Sequence, residues 1–189
     1  MKLLVTRRMT QAAEHALSAR FDTTIMDRTG GLTEAEAAEA MAAYDAVMPT
    51  LGDRFGAGAF QDGLRCKLLA NFGAGFNHID VIAAARAGIA VTNTPDAVTE
   101  ATADIALTLI LMTARRAGEG ERLLRRGEWA GWQPTQLLGR HVSGCTVGII
   151  GMGRIGKAIA RRCHFGFGMQ VLFHNRSVVS SLDFPARQV

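Results

Sequence analysis

The feature that most restricts this chain is Gly151-x-Gly153-x-x-Gly156, because a different hydrophobic period runs on each side of it. Cys145 to Ile150 are β-prone and mostly apolar. Past the glycines Ile155, Ile159 and Cys163 recur at every fourth position, as the buried stripe of a helix does, which leaves Lys157, Arg161 and Arg162 for the outer face. Met169 to Phe173 then return to an apolar run. Strand, glycine turn, helix and strand fit within about thirty residues, the dimensions of a βαβ unit.

Each glycine has a mechanical task in such a turn. Gly151 permits the tight bend, Gly153 lets the backbone approach a pyrophosphate, and Gly156 lets the helix lie close on the strand. Open N–H groups at the helix start, with the positive end of the peptide dipoles, suit an anion. An ordinary strand-to-helix turn can also carry three glycines; the strands on both sides favour dinucleotide binding.

The second strand bears on which dinucleotide. An NAD site places Asp or Glu about twenty residues past the glycines, against the ribose hydroxyls. Here the strand ends in His174, Asn175, Arg176 and Ser177, and the next carboxylate is Asp183. A guanidinium offers a planar fork of donors to phosphate, with Asn175 and Ser177 adding neutral donors. These residues predict a 2′-phosphate pocket and a preference for NADPH over NADH. A solvated Arg176 is the alternative.

Upstream, strands and helices alternate. Leu3 to Thr6, Thr23 to Met26, Ala46 to Met48, Leu64 to Asn71 and Ile89 to Thr92 read as strands. Helices are expected from Thr10 to Ala19, from the capping box Thr33/Glu36 to Ala43, and from Ile79 to Ala87. Five strands with helices between them imply a parallel sheet covered on both faces. The fourth ends in a glycine turn, Gly73-Ala74-Gly75, whose open N–H groups suit an anion. From this segment alone an anion site and a bare turn are equally good readings. His78 reads as a loop histidine that helps to hold the turn rather than as an acid or base.

Thr92 to Asp96 form a crossover, and a long helix follows from Thr99 to Arg116 with Ala101, Ile105, Leu109 and Met112 on one face. Gly118 and Gly120 loosen it before Glu121 to Arg126, and Trp129 and Trp132 stand in a glycine-rich arm, a pattern that suggests burial against a subunit partner. The α/β chain is thus expected to divide into residues 1–98 and 99–189, the second with only two strands, Val147 to Ile150 and Val171 to Phe173, beside unfilled sheet positions.

Several classes recede. The net charge of +4 comes without a basic stripe interleaved with aromatics, so nucleic acid is not the expected partner. Cys66, Cys145 and Cys163 are odd in number and far apart, and read as buried thiols in a reducing compartment, with no metal spacing. The apolar run from Ile105 to Met112 is too short for a bilayer and no signal peptide precedes it, so a cytoplasmic protein is expected.

Four motifs in order carry a resemblance to a known family. They are Asn71 to Asp80, Val91 to Pro95 with Thr99 to Asp104, the Gly151 turn with Arg154 and Ile155, and His174 to Ser177. Together they make the chain similar to the D-isomer-specific 2-hydroxyacid dehydrogenases, and among them the glyoxylate and hydroxypyruvate reductases. The resemblance implies a flavodoxin-like, parallel-sheet substrate domain followed by a partial Rossmann dinucleotide-binding domain. It also implies hydride transfer between NADPH and a small 2-keto acid whose carboxylate sits at Gly73, Ala74 and Gly75. Thr102, Gly151, Gly153, Arg154, Ile155, Gly156, Asn175, Arg176 and Ser177 would hold the cofactor, and the helix after Thr99 with the Trp129/Trp132 arm would form a homodimer contact. The family's catalytic Arg, Glu and His match no residue here. No catalytic residue is therefore assigned, and residues 1–189 are expected to be an inactive portion ending after the first βαβ unit of the cofactor domain. The competing reading is a non-catalytic NAD(P)-responsive binding protein.

Overall fold

Residues 1–189 are described by a computed structural model and form two compact units, Met1–Ala97 and Val98–Val189. The first is built on β1 (Lys2–Val5), β2 (Asp22–Ile25), β3 (Ala46–Met48), β4 (Leu68–Ala70) and β5 (Ala90–Thr92), all parallel in the order β2-β1-β3-β4-β5. That is the flavodoxin-like order, in which the chain reverses direction across the sheet between β1 and β3. Successive side chains of β1 take opposite faces, as a period of two demands. Leu4 joins Val47, Leu69, Phe55 and Met41 in one core, while Leu3 and Val5 pack with Leu17, Phe21 and Ile25 in the other.

Helices α1 (Gln11–Ser18), α2 (Glu34–Ala43) and α3 (Val81–Arg86) connect these strands. The capping box is formed: the Thr33 side chain accepts from the Glu36 N–H, and Glu36 accepts in return from Thr33. Two elements are shorter than their sequence suggests. β4 starts only at Leu68, since the N–H groups of Cys66 and Lys67 donate to Met41 and Asp45 instead of a neighbouring strand. α3 starts at Val81, because the Asp80 carboxylate accepts from Ile82 and Ala83 and so caps it there.

The second unit holds α4 (Thr99–Ala114), α5 (Ala117–Arg125), β6 (Thr146–Ile150), α6 (Arg154–Phe167), β7 (Gln170–His174) and β8 (Ala186–Gln188). Its sheet is parallel, in the order β6-β7-β8. The third strand corrects the two-strand expectation: β7 is paired on both sides, and the open position lies beside β6, where Ile150 is 92% exposed. The expected helix to Arg116 ends earlier, because Arg116 takes a left-handed conformation (φ 55°) and α5 begins directly after it, with Gly118 and Gly120 inside.

Two further expectations change. Arg162 does not take the outer face of α6 but turns to α4, where its guanidinium lies 2.7 Å from Glu100 and 2.8 Å from Asp104. Cys145 is exposed, while Cys66 and Cys163 are buried and burial pushes both of those thiols up in pKa. Ile105, Leu109 and Met112 line up on α4 as the period requires, yet remain exposed. No helix is long and apolar enough to cross a membrane.

Candidate functional site

Ligands of open α/β sheets gather at the carboxyl ends of the strands. In the first unit those ends carry Thr6 after β1, Thr50 to Asp53 after β3, and Asn71 to Gly75 after β4. Asp53 is 1% exposed and ties the first two of these loops together. Its carboxylate accepts from the Thr6 hydroxyl at 2.6 Å, the Thr50 N–H at 2.7 Å and the Leu32 N–H at 2.8 Å. Thr50 is bridged in parallel to Phe72, which carries the order on to the glycine turn.

Within that turn the carbonyls are held on one side. The Asn71 amide donates to the carbonyls of Gly73 at 3.1 Å and Gly75 at 3.0 Å, and Asn93 donates to that of Ala74 at 2.8 Å. The N–H of Thr94 also donates to Gly73. The N–H groups of Ala74, Gly75 and Phe76 donate to no protein acceptor. A methyl group added at Gly75 would meet nothing, so the approach to these donors is open. Backbone N–H groups presented together without side chains in front of them form an anion-binding concavity.

The second unit repeats the logic at its own strand end. Gly151 has φ 95°, a region that favours glycine, and its N–H donates to His174. A methyl group at Gly156 would run into the Gly151 carbonyl, so α6 reaches its distance from β6 only with glycine there. At Gly153 the same methyl would meet open space, a cradle that suits a phosphate against the first turn of α6. Ile155 is half-buried in that turn, and Arg154 is exposed.

Beyond β7 the residues singled out from sequence divide by orientation. Asn175 Oδ1 accepts from the Met152 N–H at 3.1 Å, and Asn175 Nδ2 donates to the carbonyl and hydroxyl of Ser177 at 3.0 and 3.1 Å. Asn175 is thus a brace between the two loops, with its amide committed. Arg176 is exposed and has neither ion pair nor hydrogen bond. Thr102 is exposed in the first turn of α4.

Sequence reasoning passed over three residues. Asn93, expected only as part of the crossover, ties down the Ala74 carbonyl. Asp53 stands between Gly52 and Arg54 in an irregular segment, where nothing in the local sequence announces a buried network. Gln188, on β8, donates to the carbonyls of Asn175 and Ser177 at 3.2 and 3.1 Å and accepts from the Val179 N–H, so it shapes the loop that carries Arg176. No group of three or more His, Cys, Asp or Glu converges as a metal site would.

Comparison with known proteins agrees with this layout. Residues 107–188 match the domain described as D-isomer specific 2-hydroxyacid dehydrogenase, NAD binding domain. The glyoxylate reductase of Thermococcus onnurineus is 38% identical over 180 residues, 93% of this chain and 54% of that protein. The TT0316 protein of Thermus thermophilus superposes over 100% of this chain and 60% of its own, with a TM-score of 0.89 and 37% identity. For the glyoxylate reductase of Paecilomyes thermophila the TM-score is 0.77 at 31% identity, again over 100% of this chain and 60% of that one. The chain spans about half the length of the curated relatives it matches.

Proposed function

The chain belongs to the D-isomer specific 2-hydroxyacid dehydrogenase family, and on that premise we propose that it carries the substrate and cofactor contacts of an NADPH-dependent reductase of small 2-keto acids, such as glyoxylate or hydroxypyruvate. The observation that carries the reading is the turn at Gly73 to Gly75. Its carbonyls are tied back by Asn71 and Asn93, which leaves neighbouring N–H groups facing open space for a carboxylate.

In the second unit Gly151, Gly153, Arg154, Ile155 and Gly156 would hold the pyrophosphate, with Thr102 toward the cofactor. The unpaired guanidinium of Arg176, on a loop shaped by Asn175, Ser177 and Gln188, supports a 2′-phosphate there. The nicotinamide would supply the hydride. Within residues 1–189 no proton donor is assigned. Buried thiols at Cys66 and Cys163 support a reducing, cytoplasmic setting. The exposure of Trp129 at 52% and Trp132 at 81%, beside exposed Leu109 and Met112 on α4, supports a homodimer contact.

Calorimetry on residues 1–189 tests the reading directly. NADPH is expected to bind more tightly than NADH, and oxalate, a non-reducible analogue of a keto acid, is expected to bind in the first unit. Absence of both affinities would sink the proposal. Binding of NADPH alone would favour the non-catalytic NAD(P)-responsive protein.

A further inference from the structure

We infer that His78 is a positioning residue, one whose ring N–H holds the Asn71 amide in the direction that ties back the carbonyls of Gly73 and Gly75 and so helps to keep the shape of the anion-binding turn. The inference rests on the reading that Gly73 to Gly75 receive a carboxylate, and it assigns His78 a task other than proton transfer.

The geometry runs outward from a single buried side chain. Asn71 is 2% exposed, so its amide must find partners within the protein. A primary amide has a donating end and an accepting end, and network geometry decides which faces where. Both carbonyls at 3.0 and 3.1 Å, those of Gly75 and Gly73, require the NH2 end. Oδ1 is then left toward His78 Nε2, 3.0 Å away, which must donate. That selects the imidazole tautomer with its hydrogen on Nε2. Burial lowers the His78 pKa, although Asp53 opposes the shift, so the ring favours its neutral form with one N–H to give.

Turned the other way, the Asn71 amide would set its oxygen against two carbonyl oxygens. The Gly75 carbonyl would lose its tie and the Gly73 carbonyl would keep only the Thr94 N–H, which loosens the opposite orientation of the N–H groups at Ala74 to Phe76. Asn93 holds only the carbonyl of Ala74, from the other end of the turn. The donor on His78 therefore holds the arrangement that the two carbonyls select, by satisfying the Asn71 oxygen that is left over. A single hydrogen bond to a group that itself makes two others is high-stakes when buried, because each member depends on the rest.

The test compares His78→Leu, which removes the donor, with His78→Gln, whose amide nitrogen can occupy the position of Nε2. Residues 1–189 of each variant are studied by NMR without ligand, then titrated with oxalate and, as a check on the second unit, with NADPH. In His78→Leu the Asn71 side-chain NH2 should exchange with solvent at least about tenfold faster, and oxalate affinity should fall by about tenfold. His78→Gln should restore both to within about threefold of the parent, and NADPH affinity should stay the same throughout. Unchanged Asn71 exchange in His78→Leu would overturn the inference, as would a His78→Gln variant no better than His78→Leu. If the Asn71 pattern appears as expected but oxalate binds none of the three proteins, the positioning role stands and the substrate reading falls. If His78→Leu is unfolded, the exchange comparison between His78→Gln and the parent still decides, since loss of Asn71 protection in a folded His78→Gln chain contradicts a donor role.

Discussion

The Met152 N–H donates to Asn175 Oδ1 at 3.1 Å, which fastens the glycine turn after β6 to the end of β7. Asn175 thereby spends on the protein an oxygen that an acidic residue would offer to a ribose. On the function proposed above, Arg176, the cation next to it, would be the group by which the loop tells one dinucleotide from another.

The first prediction follows from that division. Arg176→Ala should lower NADPH affinity by about ten- to a hundredfold, the worth of a charge-assisted hydrogen bond to phosphate, and leave NADH affinity unchanged. Because Arg176 is exposed and makes no ion pair or hydrogen bond with the protein, the melting temperature should not move. Equal losses for both cofactors, read by calorimetry, would show that Arg176 does not sense the 2′-phosphate.

The glycines of the second unit should differ in how they fail. Gly156→Ala drives a methyl into the Gly151 carbonyl and to within 3.3 Å of Ile149, and backbone yields poorly, so the second unit should lose about 1 to 3 kcal/mol of stability. Gly153→Ala meets open space, so it should fold normally and weaken only the cofactor. Thermal melts paired with NADPH titration separate the two, and a normal melt for Gly156→Ala would contradict the close packing of α6.

In the first unit Gly75→Val should block the anion without disturbing the fold. The Cβ of the new side chain meets no atom of the protein within 4 Å, so the added bulk should go to the open side of the turn. Oxalate affinity should drop by at least about tenfold while NADPH affinity, a property of the other unit, is retained. A fall in both would point to general unfolding.

Much of this layout was legible in the sequence, and the gaps have physical causes. The capping box and the glycine turns announce themselves through local chemistry, since Thr33 and Glu36 satisfy each other and Gly151 must take a positive φ. β8 was missed because Ala186 to Gln188 are short and largely polar, with no period to read. Arg162 was misplaced for a related reason. A basic residue on a helix usually faces solvent, and only tertiary structure brings Glu100 and Asp104, far away in sequence, against it. The tie from Asn93 to Ala74 likewise crosses between strands, where sequence spacing is silent.

Acid should destabilise the first unit more than the second. Arg28, followed by the Thr33 N–H, holds Glu36 down from 4.5 to about 2, and Arg65, followed by the Lys2 N–H, holds Asp45 down from 3.8 to about 2. A depressed carboxyl contributes its stability above its unfolded pKa and loses it as pH falls through the folded one, so the window runs from about 4.5 to about 2. His78 acts in the same sense at higher pH. Its pKa is lowered from 6.5, so below that value the unfolded chain gains a proton that the folded one resists. In the second unit Arg116 holds Glu119 down. Melting curves between pH 7 and pH 2 should show the first unit giving way earlier, and Glu36→Gln should flatten part of its pH dependence. An unaltered slope in that variant would remove Glu36 from the account.

The last prediction concerns turnover: residues 1–189, supplied with NADPH and glyoxylate, should oxidise the cofactor no faster than the uncatalysed background. Reduction of a keto group turns its oxygen into an alkoxide unless an acid stands within hydrogen-bond reach. His78 is the histidine beside the Gly73 to Gly75 turn, and on the tautomer inferred above its Nε2 hydrogen is committed to Asn71 at 3.0 Å. Burial also lowers its pKa, which disfavours the protonated form that a general acid would need. Binding and turnover should therefore separate, with oxalate and NADPH both retained while the absorbance of NADPH stays flat. A rate in the ordinary enzymatic range that is lost in His78→Gln would return His78 to the role of proton donor. The same rate kept in His78→Gln would require another acid among these residues.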